Sequence, residues 1–262
     1  MMRVRIGCLC VSLLSLTVAH AGVVVHMAQK SSTGDQAKER SVFYAQDGFL
    51  RIDDLDGEGH VQQLTLFRDG VIWKAEVAQR TFEKFDKNAM AAKQNGMQER
   101  MQGMMQNMPP EKRAMFEERM KAMQQQAVDY ALSDTGRSEH AGSYSCEIWQ
   151  LSRNGKLTTE YCVASKGNLP GGDELVNASH KAAAVAADVM SASPMIAKAM
   201  PPLYTLYGKM DGFPVLVRHM SGGKPSSETI VTAIERKSLP ADQFAIPQGF
   251  TETQPGATGA NE

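Results

Sequence analysis

Two Asp-Gly pairs, Asp47-Gly48 and Asp69-Gly70, each separate two runs rich in aliphatic and aromatic residues. Such a two-residue link is a strong hairpin signal, because the type I′ turn that joins twisted strands needs positive φ at both central residues. Pairing outward from Asp47-Gly48 sets Ala45 opposite Leu50 and Phe43 opposite Ile52 on one apolar face. Tyr44 and Arg51 then pair on the other face, where Arg51 reads as a solvent-facing charge. The register is self-consistent, since a one-residue slip would set Phe43 against a polar position. The second turn sets Leu66 opposite Trp73 and Leu64 opposite Ala75. Residues 23–28 and 80–85 add flanking strands. Short strands joined by tight turns predict a meander, hence a curved sheet or partly closed barrel, over residues 22–85.

Composition changes at residue 86. From 86 to 131 the chain is mostly Met, Gln, Ala, Lys and Glu, all good helix formers. Met97, Met101, Met104, Met105 and Met108 fall on one helical stripe. Pro109-Pro110 interrupts the helix, and Pro109 suits the first turn of a second one. Phe116, Met120, Met123, Ala127 and Tyr130 continue the stripe there. The segment reads as a helical hairpin or kinked helix inserted in the sheet. Residues 143–165 return to strand. A third helix is expected over 173–191, with a short helical piece up to residue 200. A last hairpin pairs 213–220 with 228–236 across the loop 221–227. Residues 251–262 lack apolar anchors and read as a disordered tail.

The chain opens with a basic n-region (Arg3, Arg5), an apolar run over 6–18 and the small-x-small site Ala19-His20-Ala21. That is the pattern of a cleaved secretory signal peptide, residues 1–21, and it places the mature protein in an oxidising compartment. Removing Arg3 and Arg5 leaves 26 basic against 29 acidic residues. No basic cluster remains, which argues against a nucleic-acid partner. No later apolar stretch is long enough to span a bilayer.

Cys8 and Cys10 lie inside the leader, so Cys146 and Cys162 are the mature cysteines. A three-residue loop at Arg153-Asn154-Gly155 would pair Ser152 with Lys156 and, counting outward, set Cys146 directly opposite Cys162. An oxidising compartment favours a structural disulfide between them. Neither a Cys-x-x-Cys pattern nor nearby ligand spacing supports a redox or metal pair.

Nine of the 15 mature methionines lie between Met90 and Met123. Three readings compete. The stripe is a hydrophobic seam packed on the sheet, since unbranched Met fills irregular gaps. Or it is an adaptable groove or lid for lipid, acyl chains or a partner's helix. Or Met101, Met104, Met105, Met108, Met120 and Met123 offer thioethers to Cu(I).

Other patterns are weaker. Asp54, Asp56 and Glu58 before Gly59 open like a calcium loop, but its twelfth position is Thr65 and the bidentate Glu is missing. Gly222-Gly223-Lys224 lacks the rest of a P-loop. His26, His60, His140, His180 and His219 are scattered, and neither HExxH nor GxSxG occurs.

Several segments together resemble a family of bacterial periplasmic proteins, the DUF4412 type. They are Gly48-Phe49-Leu50-Arg51-Ile52-Asp53, Ala141-Gly142-Ser143-Tyr144-Ser145-Cys146-Glu147-Ile148-Trp149, Asn154-Gly155-Lys156 and Glu160-Tyr161-Cys162-Val163-Ala164. Gly212-Phe213-Pro214-Val215 and Phe244-Ala245-Ile246-Pro247-Gln248-Gly249-Phe250 also fit. That family is similar to the lipoprotein carriers LolA and LolB. The resemblance implies a half-open antiparallel barrel with helices over its concave face, an apolar cavity between them, and no catalytic residues or cofactor.

The expectation is therefore an α+β fold: one domain over 22–250, a curved antiparallel sheet with helices covering one face and a Met-rich insertion at about 86–131. The expected function is non-enzymatic binding of an apolar ligand, lipid or lipidated partner. Leu64, Leu66 and Trp73 would form one wall, and Met97, Met101, Met104, Met105 and Met108 a movable other. The alternatives are a Cu(I)-handling envelope protein, or a scaffold whose helices dock an envelope partner.

Overall fold

The computed structural model describes residues 21–31, 36–125, 128–192 and 208–253. The leader through residue 20, the short helical piece expected near residue 200, Ala127, the side chains of Met120 and Met123, and the tail beyond residue 253 lie outside the described residues. Six strands come first: β1 (Gly22–Ser31), β2 (Lys38–Gln46), β3 (Phe49–Leu55), β4 (Val61–Arg68), β5 (Val71–Glu76) and β6 (Thr81–Phe85). Two helices follow, α1 (Lys87–Gln106) and α2 (Pro110–Gln125). The chain then forms β7 (Tyr130–Ala141), β8 (Tyr144–Arg153) and β9 (Lys156–Ser165), and after them helix α3 (Gly172–Ser191). It ends with β10 (Gly212–Ser221), β11 (Lys224–Lys237) and the short β12 (Thr251–Thr253).

All twelve strands belong to one large, curved, unclosed sheet in the order β12-β6-β5-β4-β3-β2-β1-β11-β10-β9-β8-β7. Neighbours are antiparallel except β12, which runs parallel to β6. The pairing of β1 with β11 joins the first meander to the second. Among the described residues three α-helices accompany the sheet, so the fold is mixed α and β.

The hairpin chemistry sets much of this order. Asp47 and Gly48 have φ of 55° and 77°, and Asp69 and Gly70 have 52° and 76°, the left-handed pair that a type I′ turn needs. Ala45 faces Leu50, Phe43 faces Ile52, Leu66 faces Trp73 and Leu64 faces Ala75, as the sequence predicts.

The later hairpins are tighter than expected. Asn154-Gly155 alone makes the β8–β9 turn, with Arg153 opposite Lys156. A shift between Leu151 and Ser152 then sets Ile148, not Cys146, opposite Cys162. The two cysteines are diagonal neighbours, 5.2 Å apart at Cα, and are joined by a disulfide. Gly222-Gly223 likewise replaces the longer loop expected at 221–227. Tyr130, expected to close the second helix, opens β7 instead, and Thr251–Thr253 adds an edge strand where a loose tail was expected.

Helix α3 packs on one face. Its Leu175, Ala178, Ala182 and Ala186 are buried against Val23, Val25, Ala45, Leu50 and Phe67 of the sheet. Small alanines let the helix approach closely, and each fully buried Val, Leu or Phe contributes roughly 1.5–3 kcal/mol. At its start Gly172 is required, because a Cβ there would lie 2.0 Å from the Lys166 carbonyl oxygen.

The opposite face of the first meander is closed by the segment after β11. Leu239 and Phe244 are buried there with Val24, Val42, Leu55 and Leu66. The Leu239 amide donates to Gln46 Oε1 at 3.1 Å, and Arg68 Nη1 donates to the Phe244 carbonyl at 3.1 Å.

Candidate functional site

A trough of about 520 Å³ with a partly apolar lining is built from β1, β2, β7, β8, β9, β10 and β11. Met27, Leu151 and Tyr161 form its buried floor, with Phe43, Val217 and Tyr130 half-buried around them. Ser41, Thr158, Thr159 and Thr229 supply hydroxyls. Burial pushes the Tyr161 phenol above its ordinary range, so that floor is uncharged at neutral pH. The volume falls within the roughly 300–1,000 Å³ of small-molecule sites.

The strand register explains why these residues meet. Val217 faces Tyr161 across β10–β9, and Tyr161 faces Trp149 across β9–β8. Irregularities in the pairing between His26 and Met27 and between Met27 and Ala28 bend β1 beside them. Bulges of this kind increase local curvature and re-aim side chains. Sequence patterning misses the trough, because its lining comes from seven strands and no local run carries it. The usable signal is Tyr130-x-Leu132, a period-two pair at the start of β7.

The residues proposed as a wall lie elsewhere. Leu64 and Leu66 are 1% and 2% exposed, and Leu66 packs with half-buried Trp73 beside Leu239 and Phe244. The methionine helix is not on that face: α1 packs against α3 and the end of β6. Lys87 pairs with Asp188 of α3 at 2.9 Å, and Met90 is buried. Beyond Met90 the stripe is open. Met97 is 36% and Met104 50% exposed, while Met101, Met105 and Met108 are half-buried. On α2, Met115 is 72% exposed.

Among the described residues none of these helices lines the trough, and their relation to it is one of chain order. They leave from β6, next to one edge of the sheet, and return to β7 at the other edge, where Tyr130 lines the trough. Asp86 caps the start of α1, its Oδ1 accepting from the Ala89 amide at 2.8 Å. Pro110 rather than Pro109 takes the first position of α2, where its missing N–H removes no helical bond.

Arg51 is not the solvent-facing charge expected. It is 14% exposed, and its Nε and Nη2 donate to both carboxylate oxygens of Asp53 at 2.6 and 2.9 Å. Its Nη1 donates to the Gln243 carbonyl at 3.0 Å, and its guanidinium lies 5.7 Å from the Tyr44 ring centre. Phe49 meets Phe244 with ring centres 6.0 Å apart. The Gly-x-x-Arg-x-Asp stretch thus anchors the 238–250 segment.

At the β3–β4 turn, Asp56, Glu58 and His60 bring ligand atoms within 4.8 Å of one another. Asp56 Oδ1 accepts from the His60 and Glu58 amides, which holds its carboxyl below the usual range and makes the cluster a turn device. Among the described residues no helix is long and apolar enough to cross a membrane.

The model of the family described as "Domain of unknown function (DUF4412)" matches residues 78–250, from the end of the first meander through the Phe244–Phe250 closing stretch. The chain belongs to the DUF4412 family. The matched region of this DUF4412 chain holds the Met-rich helices, the disulfide hairpin and α3, while Gly48-Phe49-Leu50-Arg51-Ile52-Asp53 lies before it. No curated protein matches the chain. A crystal structure of an uncharacterized conserved protein from Thermus thermophilus aligns over 90% of this chain and 91% of its own, at 10% identity and a TM-score of 0.43. A structure of PNGF-II aligns over 90% of this chain but 31% of its own, at 8% identity and a TM-score of 0.42.

Proposed function

We propose that this chain is a non-enzymatic periplasmic binding protein that holds an apolar ligand, a lipid or a lipidated partner in the trough. The curved sheet acts as a half-open barrel of the kind seen in the lipoprotein carriers, and the Met-rich helices are its adjustable cover. The observation that carries this reading is the trough itself, a solvent-open cavity of about 520 Å³ with an uncharged aromatic and aliphatic floor. Burying apolar ligand surface there contributes about 25 cal/mol per Å² removed from water. The methionines support a cover rather than a core seam, because Met97 and Met104 stay exposed although they lie on the apolar stripe of α1. Unbranched thioether side chains adapt to a variable partner.

The test is binding of the uncharged fluorophore N-phenyl-1-naphthylamine to the mature protein. Emission rises and saturates if the trough accepts apolar ligands, and Val217→Asp abolishes the rise with the circular dichroism spectrum unchanged. No rise in the parent protein contradicts the reading.

The same stripe, with Met104 exposed and Met101, Met105 and Met108 half-buried, favours one second reading, Cu(I) handling by these four thioethers. Metal binding needs sulfur and fails in a Met→Leu series, whereas an apolar cover tolerates leucine.

A further inference from the structure

We propose that the trough selects single-chain amphiphiles with an anionic carboxylate or phosphate head, tail inward, the head meeting Arg153 and His219 at the mouth. This rests on the trough being the binding site. The thirteen residues that line it include one Arg and one His and no Asp or Glu. The chain as a whole carries 29 acidic against 28 basic residues, so a lining with a guanidinium and no carboxylate departs from its background composition.

The placement of the two residues suits a head-binding rim. Arg153 ends β8 at the Asn154-Gly155 turn, and His219 lies close to the Gly222-Gly223 turn that ends β10. The register brings these ends together, since Thr159 faces both His219 on β10 and Leu151 on β8. Both residues are exposed, whereas Met27, Leu151 and Tyr161 below them are buried. An amphiphile bound this way keeps its charge in water and buries only its chain.

Arg153 is also available. Among the described residues its guanidinium has no carboxylate partner and lies 6.0 Å from the Tyr130 ring centre. Arg51, Arg137 and Arg218, by contrast, are occupied, by Asp53, by Glu160, and by Glu139 and Glu228. A guanidinium held over an aromatic ring still presents its fork of N–H donors, which matches carboxylate and phosphate oxygens. At about 520 Å³ the trough lies in the lower half of the roughly 300–1,000 Å³ range, room for one chain rather than two.

The test is calorimetric titration of the mature, disulfide-bonded protein with four twelve-carbon amphiphiles below their micelle concentrations. They are dodecanoate, dodecyl phosphate, neutral dodecyl maltoside and cationic dodecyltrimethylammonium. Both anions are expected to bind at least about tenfold more tightly than the maltoside, the scale of one charged hydrogen bond. The tighter anion identifies the head. Arg153→Gln erases the gap by lowering anion affinity toward that of the maltoside, while Arg153→Lys retains part of it. Equal affinity for all four compounds overturns the head assignment and leaves the trough reading standing. A gap that survives Arg153→Gln removes Arg153 from it. Binding of none of the four overturns both.

Discussion

Arg51 and Asp53, two residues apart on β3 and therefore on the same face, form a bidentate ion pair beneath the segment that follows β11. Asp53 is 3% exposed, and the third arm of Arg51 reaches the Gln243 carbonyl. Removing one partner of such a pair leaves a buried charge uncompensated and costs about 3–5 kcal/mol. Arg51→Ala is therefore expected to lower the unfolding free energy in urea by that amount. Arg51→Ala with Asp53→Ala is expected to recover part of it, since no lone charge remains. A cost under about 1 kcal/mol for the single variant would show that the pair is effectively solvated.

The disulfide closes a loop with a sequence separation of 16 between β8 and β9. Replacing Cys146 and Cys162 together by Ala is expected to cost about 3 kcal/mol, the loop-closure value for that length. Thermal unfolding of the variant and the parent measures it. Probe binding in the trough is expected to persist below the lowered midpoint, since neither cysteine lines the trough.

Asp86 links helix stability to pH. The Ala89 amide bond, followed by the Lys84 side chain, holds its carboxyl below the ordinary Asp range in the folded state. A depressed carboxylate contributes stability above its unfolded value, and that contribution is lost as pH falls through the folded one. Asp86→Ala is expected to cost about 1 kcal/mol at neutral pH, as loss of a cap does. The difference between variant and parent is expected to shrink in urea titrations carried below the ordinary carboxyl value of 3.8.

The proposed role of the methionine stripe as a cover is testable apart from the sheet. Met101, Met104 and Met105 are exposed or half-buried, so changing all three to Gln is expected to shift stability little, about 0.5 kcal/mol per site or less. Probe retention, followed by the dissociation rate, is expected to fall at least several-fold. The corresponding Leu variant is expected to retain the probe. Loss of silver binding in both variants together with unchanged probe retention would favour the metal reading.

Much of the first meander is legible in the sequence, because Asp-Gly turns fix register locally and the alternation at Phe43, Leu50, Leu66 and Trp73 agrees with it. Later elements are less so. Tyr130 continues a helical period from Phe116, yet pairing with Arg153 draws it into a strand. The Cys146 register fails because Asn154-Gly155 needs no third loop residue and an irregularity near Ser152 then shifts the count. Arg51 looks exposed in a two-strand pairing, since its cover arrives 192 residues later in the chain at Gln243. The trough is assembled by long-range pairing of strands, which no short-range period reports.

The most direct test of the central claim is native mass spectrometry of the protein purified without detergent. The account predicts discrete adducts of several hundred daltons that vanish in organic solvent and are absent from Val217→Asp. A bare polypeptide mass for the parent protein, joined to failure to take up added N-phenyl-1-naphthylamine, would contradict it.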